Sequence, residues 1–198
     1  IVNAVLPQPG TARHVVGMFL PNALLKALAQ IRAEESMAEG AGAVWTMQVN
    51  GNHEDGSPFI TAMFTYAGGV GARATKPGLS ACSYPTGISA VPVEVVEASA
   101  PIHFHRKELR QGSGGDGAQP GGLGQTVEFS VDTALNWELN AVTSRLSEPP
   151  QGIFGGRPGS PGSFSVNGEA VTTQSRITLG PDDVVCLELP GGGGYGEG

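Results

Sequence analysis

Apolar and polar positions along this chain follow two different periods, and the change from one to the other marks out its elements. From Pro21 and Asn22 onward, Leu24, Leu25, Leu28 and Ile31 recur at helical spacing, while Lys26, Gln30, Arg32 and Glu34 supply a polar side. That pattern predicts a helix with one face on a core, ended by Glu39-Gly40-Ala41-Gly42. Trp45, Met47 and Val49 then alternate with Thr46 and Gln48, the period of a half-buried strand, and Pro58 to Tyr66 reads as a second, more continuously apolar one. Between them, residues 50–56 are rich in turn formers, so the pair is expected to form a hairpin. Ahead of all this, Pro7 and Pro9 predict an extended entry over Ile1 to Gly10.

Further along, Pro92 suits the first turn of a short helix and Pro101 marks its end. Ile102 to Arg106 alternates, which places His103 and His105 on the same side of a strand. Val127, Phe129 and Val131 alternate with Thr126, Glu128 and Ser130. Phe164 and Val166 lead into Asn167-Gly168, a strong hairpin signal, with Val171 beyond. Ile177 and Leu179 precede the turn at Gly180-Pro181-Asp182, and Val185, Leu187 and Leu189 close the series. The expected fold class is α+β and β-rich: a glycine-rich region with two short helices, followed by an antiparallel sheet or sandwich. The expected division is a Gly-rich α+β segment over 1–124 and an antiparallel β segment over 125–198.

Composition changes this picture in one respect. The 31 glycines among 198 residues are about twice the usual ~7% share. They cluster, most densely between Tyr66 and Gln125, as Gly68-Gly69-Val70-Gly71, Gly114-Gly115-Asp116-Gly117 and Gly121-Gly122-Leu123-Gly124. Glycine gathered in this way marks backbone that turns with positive φ or passes close to something else. Disorder is the competing reading, but apolar runs such as Pro58 to Tyr66 bury enough surface to oppose chain entropy. A net charge of −7 argues against nucleic-acid and anionic-membrane partners. Cys82 and Cys186 do not make a disulfide framework, and no signal peptide or ~18-residue apolar span is present, which points to a cytoplasmic protein.

Candidate chemistry is sparse. Glu94 and Glu97 share a face of the short helix, and two carboxylates so placed can divide acid and base roles; ordinary surface glutamates are the alternative. His103 and His105 form a His-x-His pair suited to a metal, with no nearby carboxylate or third histidine to complete it, so no metal site is assigned. His53, Glu54 and Asp55 suit a divalent ion by type but fit a solvated turn better. Ser80, Cys82 and Ser83 lie in a glycine-flanked loop with no assignable base. None of the glycine tracts has the strand, loop and helix context of a phosphate cradle, and there is no Gly-x-Ser-x-Gly elbow.

The ordered series of motifs nevertheless resembles a known family. Gly68 to Ala72, Gly78-Leu79-Ser80-Ala81, Pro92-Val93-Glu94 with Glu97, Glu108-Leu109-Arg110, Ser113-Gly114-Gly115-x-Gly117, Gly121 to Gly124, Phe154 to Gly159 and Pro190 to Gly196 together resemble the hydantoinase B/oxoprolinase family, which includes related acetone carboxylase subunits. The chain departs from the pattern at Gly112 and Pro120, where Asp and Arg are common in the family. The resemblance implies the C-terminal part of a B-type subunit with both ends cut, in an ATP-dependent hydrolase acting on cyclic amide C–N bonds. It implies an A-type ATPase partner of actin-like fold, the N-terminal half of the same subunit, a small cyclic amide substrate, and a divalent metal held in that upstream half. This fragment by itself is then expected to bind no cofactor and to be inactive. Substrate-loop candidates are Gly69, Gly71, Ser80, Ser83, Gly114 and Gly115. The alternatives are a non-catalytic scaffold or subunit-interface region, an acetone-carboxylase-type subunit, or a free-standing β-rich binding module.

Overall fold

The computed structural model describes residues 13–171 and 176–198; the extended entry expected over 1–10 lies outside them. The first element, α1 (Arg13–Leu28), begins well before the expected start at Pro21, which sits inside it. Proline there has no N–H for the Gly17 carbonyl, a defect the surrounding turns absorb. The expected burial also fails: Leu24, Leu28 and Ile31 are exposed, and Met18, Asn22 and Ala29 face inward instead. The helix stops at Leu28 rather than at Gly40, with a 3-10 turn over Ala33–Glu35.

The strands are β1 (Trp45–Asn52), β2 (Pro58–Tyr66), β3 (Ile102–Leu109), β4 (Gln125–Val131), β5 (Trp137–Val142), β6 (Ser163–Val166), β7 (Glu169–Ala170), β8 (Ile177–Leu179) and β9 (Val185–Glu188), with the short helix α2 (Val93–Ser99) ahead of β3. They form two antiparallel sheets, of order β2-β1-β5-β8 and β3-β4-β9-β6-β7. The β1–β2 hairpin forms as the alternation predicts, with Asn52 opposite Pro58. Its turn is held by His53 N–H to Ser57 O, and by the Asp55 carboxylate, which accepts from both Ser57 N–H and Oγ. Asn167 and Gly168, with φ of 51° and 83°, make the tight β6–β7 turn that their sequence demands. The turn after Leu179 carries the chain from one sheet to the other, so β8 and β9 do not pair.

Both sheets contain strands from before and after Gln125. Their inner faces share one core: Trp45, Met47, Val49, Trp137 and Leu139 from the first sheet meet Val127, Phe129, Val131, Val185 and Leu187 from the second. Phe129 and Trp137 bridge the layers at 6.4 Å between ring centroids. Strand β5 is one the sequence reading passed over, although Trp137, Leu139 and Ala141 are buried in strict alternation. Val96 and Ala100 of the α2 region close the core at one edge.

The registers sort the loops. Trp45 pairs with Tyr66, Thr46 with Val142, Thr126 with Glu188, and Ser163 with Glu188. The start of β1, the end of β2, the end of β5, the starts of β4 and β6 and the end of β9 therefore all lie at one pole of the sandwich. Every glycine tract emerges there.

Candidate functional site

At that pole the glycine-rich segments hydrogen-bond to one another outside any sheet. Gly69 N–H donates to Pro190 O, Gly122 N–H to Val70 O, Gly192 N–H to Gly122 O and Gly115 N–H to Gly192 O, at 2.8 to 2.9 Å. Ala72 N–H reaches Gly193 O, Gly193 N–H reaches Glu39 O, and Gly194 N–H reaches Arg157 O. The result is a stack of extended backbones lying directly on one another. A Cβ on Gly69 would stand 1.9 Å from Gly122 O, on Gly192 2.0 Å from Val70 O, and on Gly191 1.8 Å from Ser113 O. None of these three has a positive φ. Of the two reasons for clustered glycine, close approach is the one that applies here. Gly191 to Gly194 are buried in the middle of the stack.

A few side chains pin the stack to the sandwich. Ser113 is buried; its Oγ donates to Arg110 O (2.6 Å) and accepts from Gly124 N–H (2.9 Å). Gln125 Nε2 donates to Ala67 O at 2.7 Å, and Tyr195 O–H to Ala33 O at 2.9 Å. Glu39 lies between Lys26 Nζ of α1 (2.9 Å) and Arg145 (3.1 Å), and accepts the Gln151 N–H (3.2 Å). Burial raises the pKa of its carboxyl, but the Lys26 hydrogen bond, the Gln151 amide and the Arg145 charge outweigh that, and the net shift is downward. Arg145 also covers the Phe19 ring at 5.2 Å and holds φ of 60°, an uncommon conformation for a side-chain-bearing residue. Glu39, Arg145, Ser113 and Gln125 escaped the sequence reading. A half-buried ion pair between residues so far apart in sequence leaves no local pattern, whereas Ser113 stands next to a recognisable glycine motif.

The residues singled out from sequence fall in two places. Gly69, Gly71, Gly114 and Gly115 lie within the stack, each facing neighbouring backbone. Ser80 Oγ accepts from Leu123 N–H at 3.0 Å, and buried Ser83 shares a 2.6 Å hydrogen bond with Thr86, so the two hydroxyls are occupied separately. Cys82 is a free thiol beside them.

Glu94, Glu97, His103 and His105 gather at the far edge, around α2 and β3. Glu97 Oε1 accepts the Phe104 N–H (2.8 Å) and lies 3.5 Å from His103 Nδ1. The two imidazoles meet edge to face at 5.0 Å, and His105 Nε2 is 2.9 Å from Ser130 Oγ. An open cleft of ≈ 470 Å³ adjoins them, lined by Glu97, His103, Ser130, Asp132 and Pro181 among others. Glu94 lies within electrostatic reach of Lys107, whose ammonium donates to Val91 O and lies 5.8 Å from the centre of the Tyr66 ring. Burial pulls the Lys107 pKa down against the opposing effect of Glu94, and burial pushes the Tyr66 phenol up. Chemically, the Glu97–His103 pair can hold and pass a proton at an exposed edge. Among the described residues no three His, Cys, Asp or Glu side chains are grouped to hold a metal ion.

Comparison with known proteins agrees with the motif series. The profile of the Hydantoinase B/oxoprolinase family matches residues 1–198. A 5-oxoprolinase of Dictyostelium discoideum is 32% identical over 139 residues, covering 67% of this chain and 11% of that protein. A putative B-type subunit of a D-/L-hydantoinase from a Pseudomonas species is 26% identical over 205 residues, covering 100% of this chain and 34% of that one. The chain thus spans about a third or less of the length of these relatives. Among solved structures, the ATP-dependent caprolactamase of Pseudomonas jessenii shares the fold, with a TM-score of 0.75 at 22% identity over 87% of this chain and 32% of the other. Two sheets capped by a stack of bare backbone, drawn from glycine motifs in the family's order and matched from first residue to last, show that this chain belongs to the hydantoinase B/oxoprolinase family.

Proposed function

We propose that this chain is a portion of a B-type subunit in an ATP-dependent enzyme that opens cyclic amides such as hydantoin, oxoproline or another lactam. The observation that carries the reading is the family match across the whole chain. The names of the similar proteins support it, since they include a hydantoinase of the B type and an ATP-dependent caprolactamase. In this reading an A-type ATPase partner phosphorylates the amide oxygen, which converts it into a leaving group. A divalent ion held elsewhere in the B-type polypeptide would supply an activated water. The glycine stack provides a rigid floor, and Glu97, oriented by the Phe104 N–H and facing His103, is the candidate proton carrier, with Glu94 as its weaker companion.

A second reading is favoured by one specific observation. Gly69, Gly71, Gly114 and Gly115 all have backbone within 2.2 Å of a Cβ position, so close backbone packing by itself accounts for glycine at each. On this reading the region is a non-catalytic scaffold or subunit interface. Alanine at Glu94 or Glu97 in the full complex separates the two: loss of ATP-dependent ring opening with assembly intact supports the catalytic role, and loss of assembly supports the interface. The 198-residue chain by itself is expected to show no turnover. ATP-dependent ring opening by that chain alone would overturn the division of labour, and a carboxylated product from the full complex would move the assignment to the acetone-carboxylase branch.

A further inference from the structure

The outward face of α1 is apolar throughout. Val16, Leu20, Leu24, Leu28 and Ile31 follow one another at spacings of four and three residues, and are 74%, 43%, 54%, 50% and 79% exposed. From His14 to Ala29 the one charged side chain is Lys26, and it points the other way, to Glu39. A helix that is apolar on every side is a buried helix. Here the inner face is covered, by contacts that include Met18 against Ala43, Val44 and Ala67, while the outer face is bare.

We propose that this outer face is the docking surface for an apolar-faced helix from the part of a B-type subunit that this chain does not span. The inference rests on the B-type reading above, and three observations select this occupant. The first is length: the chain spans 34% of the Pseudomonas hydantoinase polypeptide and 32% of the caprolactamase chain, so most of such a polypeptide packs elsewhere. The second is area. The five side chains expose on the order of 500 Å² of apolar surface, the upper end of what a monomer carries and short of the ~800 Å² per partner of a stable free-standing complex. A contact of that size holds when a shared polypeptide sets a high effective concentration, and not between separate copies.

The third is shape. Ala23 and Ala27 run beside the Leu20-Leu24-Leu28 ridge, leaving a groove one residue deep into which a facing ridge fits. From Val16 to Ile31 the stripe is about 22 Å long, which accommodates four turns of a partner helix. At its border Leu25 lines an apolar cleft of ≈ 270 Å³ with Met37, Val70, Leu79 and Tyr84, so the surface continues onto the glycine pole.

The test compares the 198-residue chain with the polypeptide translated from the whole open reading frame that carries it. Hydroxyl-radical footprinting of both unaltered proteins reads Leu24 and Leu28 directly. Thiol labelling of Leu24→Cys and Leu28→Cys, resolved by peptide mass spectrometry from Cys82 and Cys186, reads the same positions independently. The expected result is a drop in modification of about fivefold or more in the long polypeptide, as the exposed half of each side chain is covered. Equal modification in the two proteins overturns the proposal, as does a reading frame that ends with these residues. Protection already present in the short chain together with a dimeric mass also overturns it, and assigns the face to a second copy. Turnover is not part of the readout. Protection without ring-opening activity therefore counts against the proposed function alone.

Discussion

Replacing Gly69 with alanine tests the central structural claim, that these glycines exist for contact between backbones. The new Cβ would stand 1.9 Å from Gly122 O, 2.5 Å from Gly122 C and 2.6 Å from Gly192 N, all well inside the 3.4 Å at which ordinary contact begins. All three obstacles are backbone, so no side-chain rotation relieves them. The segments have to separate, and two hydrogen bonds lie across the gap: Gly69 N–H to Pro190 O and Gly122 N–H to Val70 O. Each lost bond costs about 1 kcal/mol net, and the overpacking itself about 1–3 kcal/mol. The expected destabilisation is therefore about 3–5 kcal/mol, a large share of the ~5–15 kcal/mol that holds a typical domain together.

The natural control is Gly17→Ala. Gly17 lies in α1 with a Cβ position open to 4 Å and no positive φ, so there alanine should stabilise by about 0.8–1 kcal/mol through helix propensity alone. Urea unfolding followed by the fluorescence of the buried Trp45 and Trp137 measures both variants. If Gly69→Ala shifts the midpoint by no more than a few tenths of a molar with an unchanged slope, the stack is not close-packed and the explanation of the glycine tracts is wrong.

Two further substitutions probe the side chains that hold the stack. Glu39→Gln leaves the largely buried Arg145 guanidinium without its counter-charge and should cost about 1–3 kcal/mol at neutral pH, read as a lower urea midpoint. Because the folded pKa of Glu39 is depressed, its contribution is fully present above the unfolded carboxylate pKa and is lost as pH falls through the folded one. The wild type and Glu39→Gln curves should converge as the pH falls through the lowered folded pKa of Glu39, and a difference that persists into stronger acid would refute the charge argument. Ser113→Ala removes the hydroxyl joining Arg110 O to Gly124 N–H and leaves that buried amide unsatisfied, for about 1–3 kcal/mol; a variant as stable as wild type would mean the hydroxyl is dispensable.

The sandwich was legible because its strands are half-buried, so each writes an alternation that a single chain displays. Trp45-Met47-Val49 and Val127-Phe129-Val131 needed nothing beyond their own neighbours. The helix was misread for the same physical reason in reverse: α1 is apolar on both sides, so a periodicity argument chose the Leu24-Leu28-Ile31 face, which is the exposed one. The glycine tracts announced close approach or positive φ without saying which, because the partner of Gly69 is Gly122 and that of Gly115 is Gly192, pairs set by strand register and not by spacing. The acidic pair shows the limit of helical spacing. Glu94 and Glu97 do share a turn, yet it is Glu97 that meets β3 directly, at the Phe104 N–H and His103, while Glu94 acts on Lys107 only through its charge.

A stack of bare backbone imposes a division of labour on whatever site adjoins it. Buried N–H and C=O groups need partners, and here neighbouring segments supply many of them, which ties the stack together without an apolar core of its own. That fits a chain whose apolar fraction of 39% is below the ~45–50% typical of globular domains. A glycine brings no side chain to a ligand, so recognition at the stack is left to backbone groups and to side chains at its border. Ser80, Tyr84 and Phe154 are such border side chains, and the acid and imidazole cluster at α2 and β3 lies apart from them at the other edge.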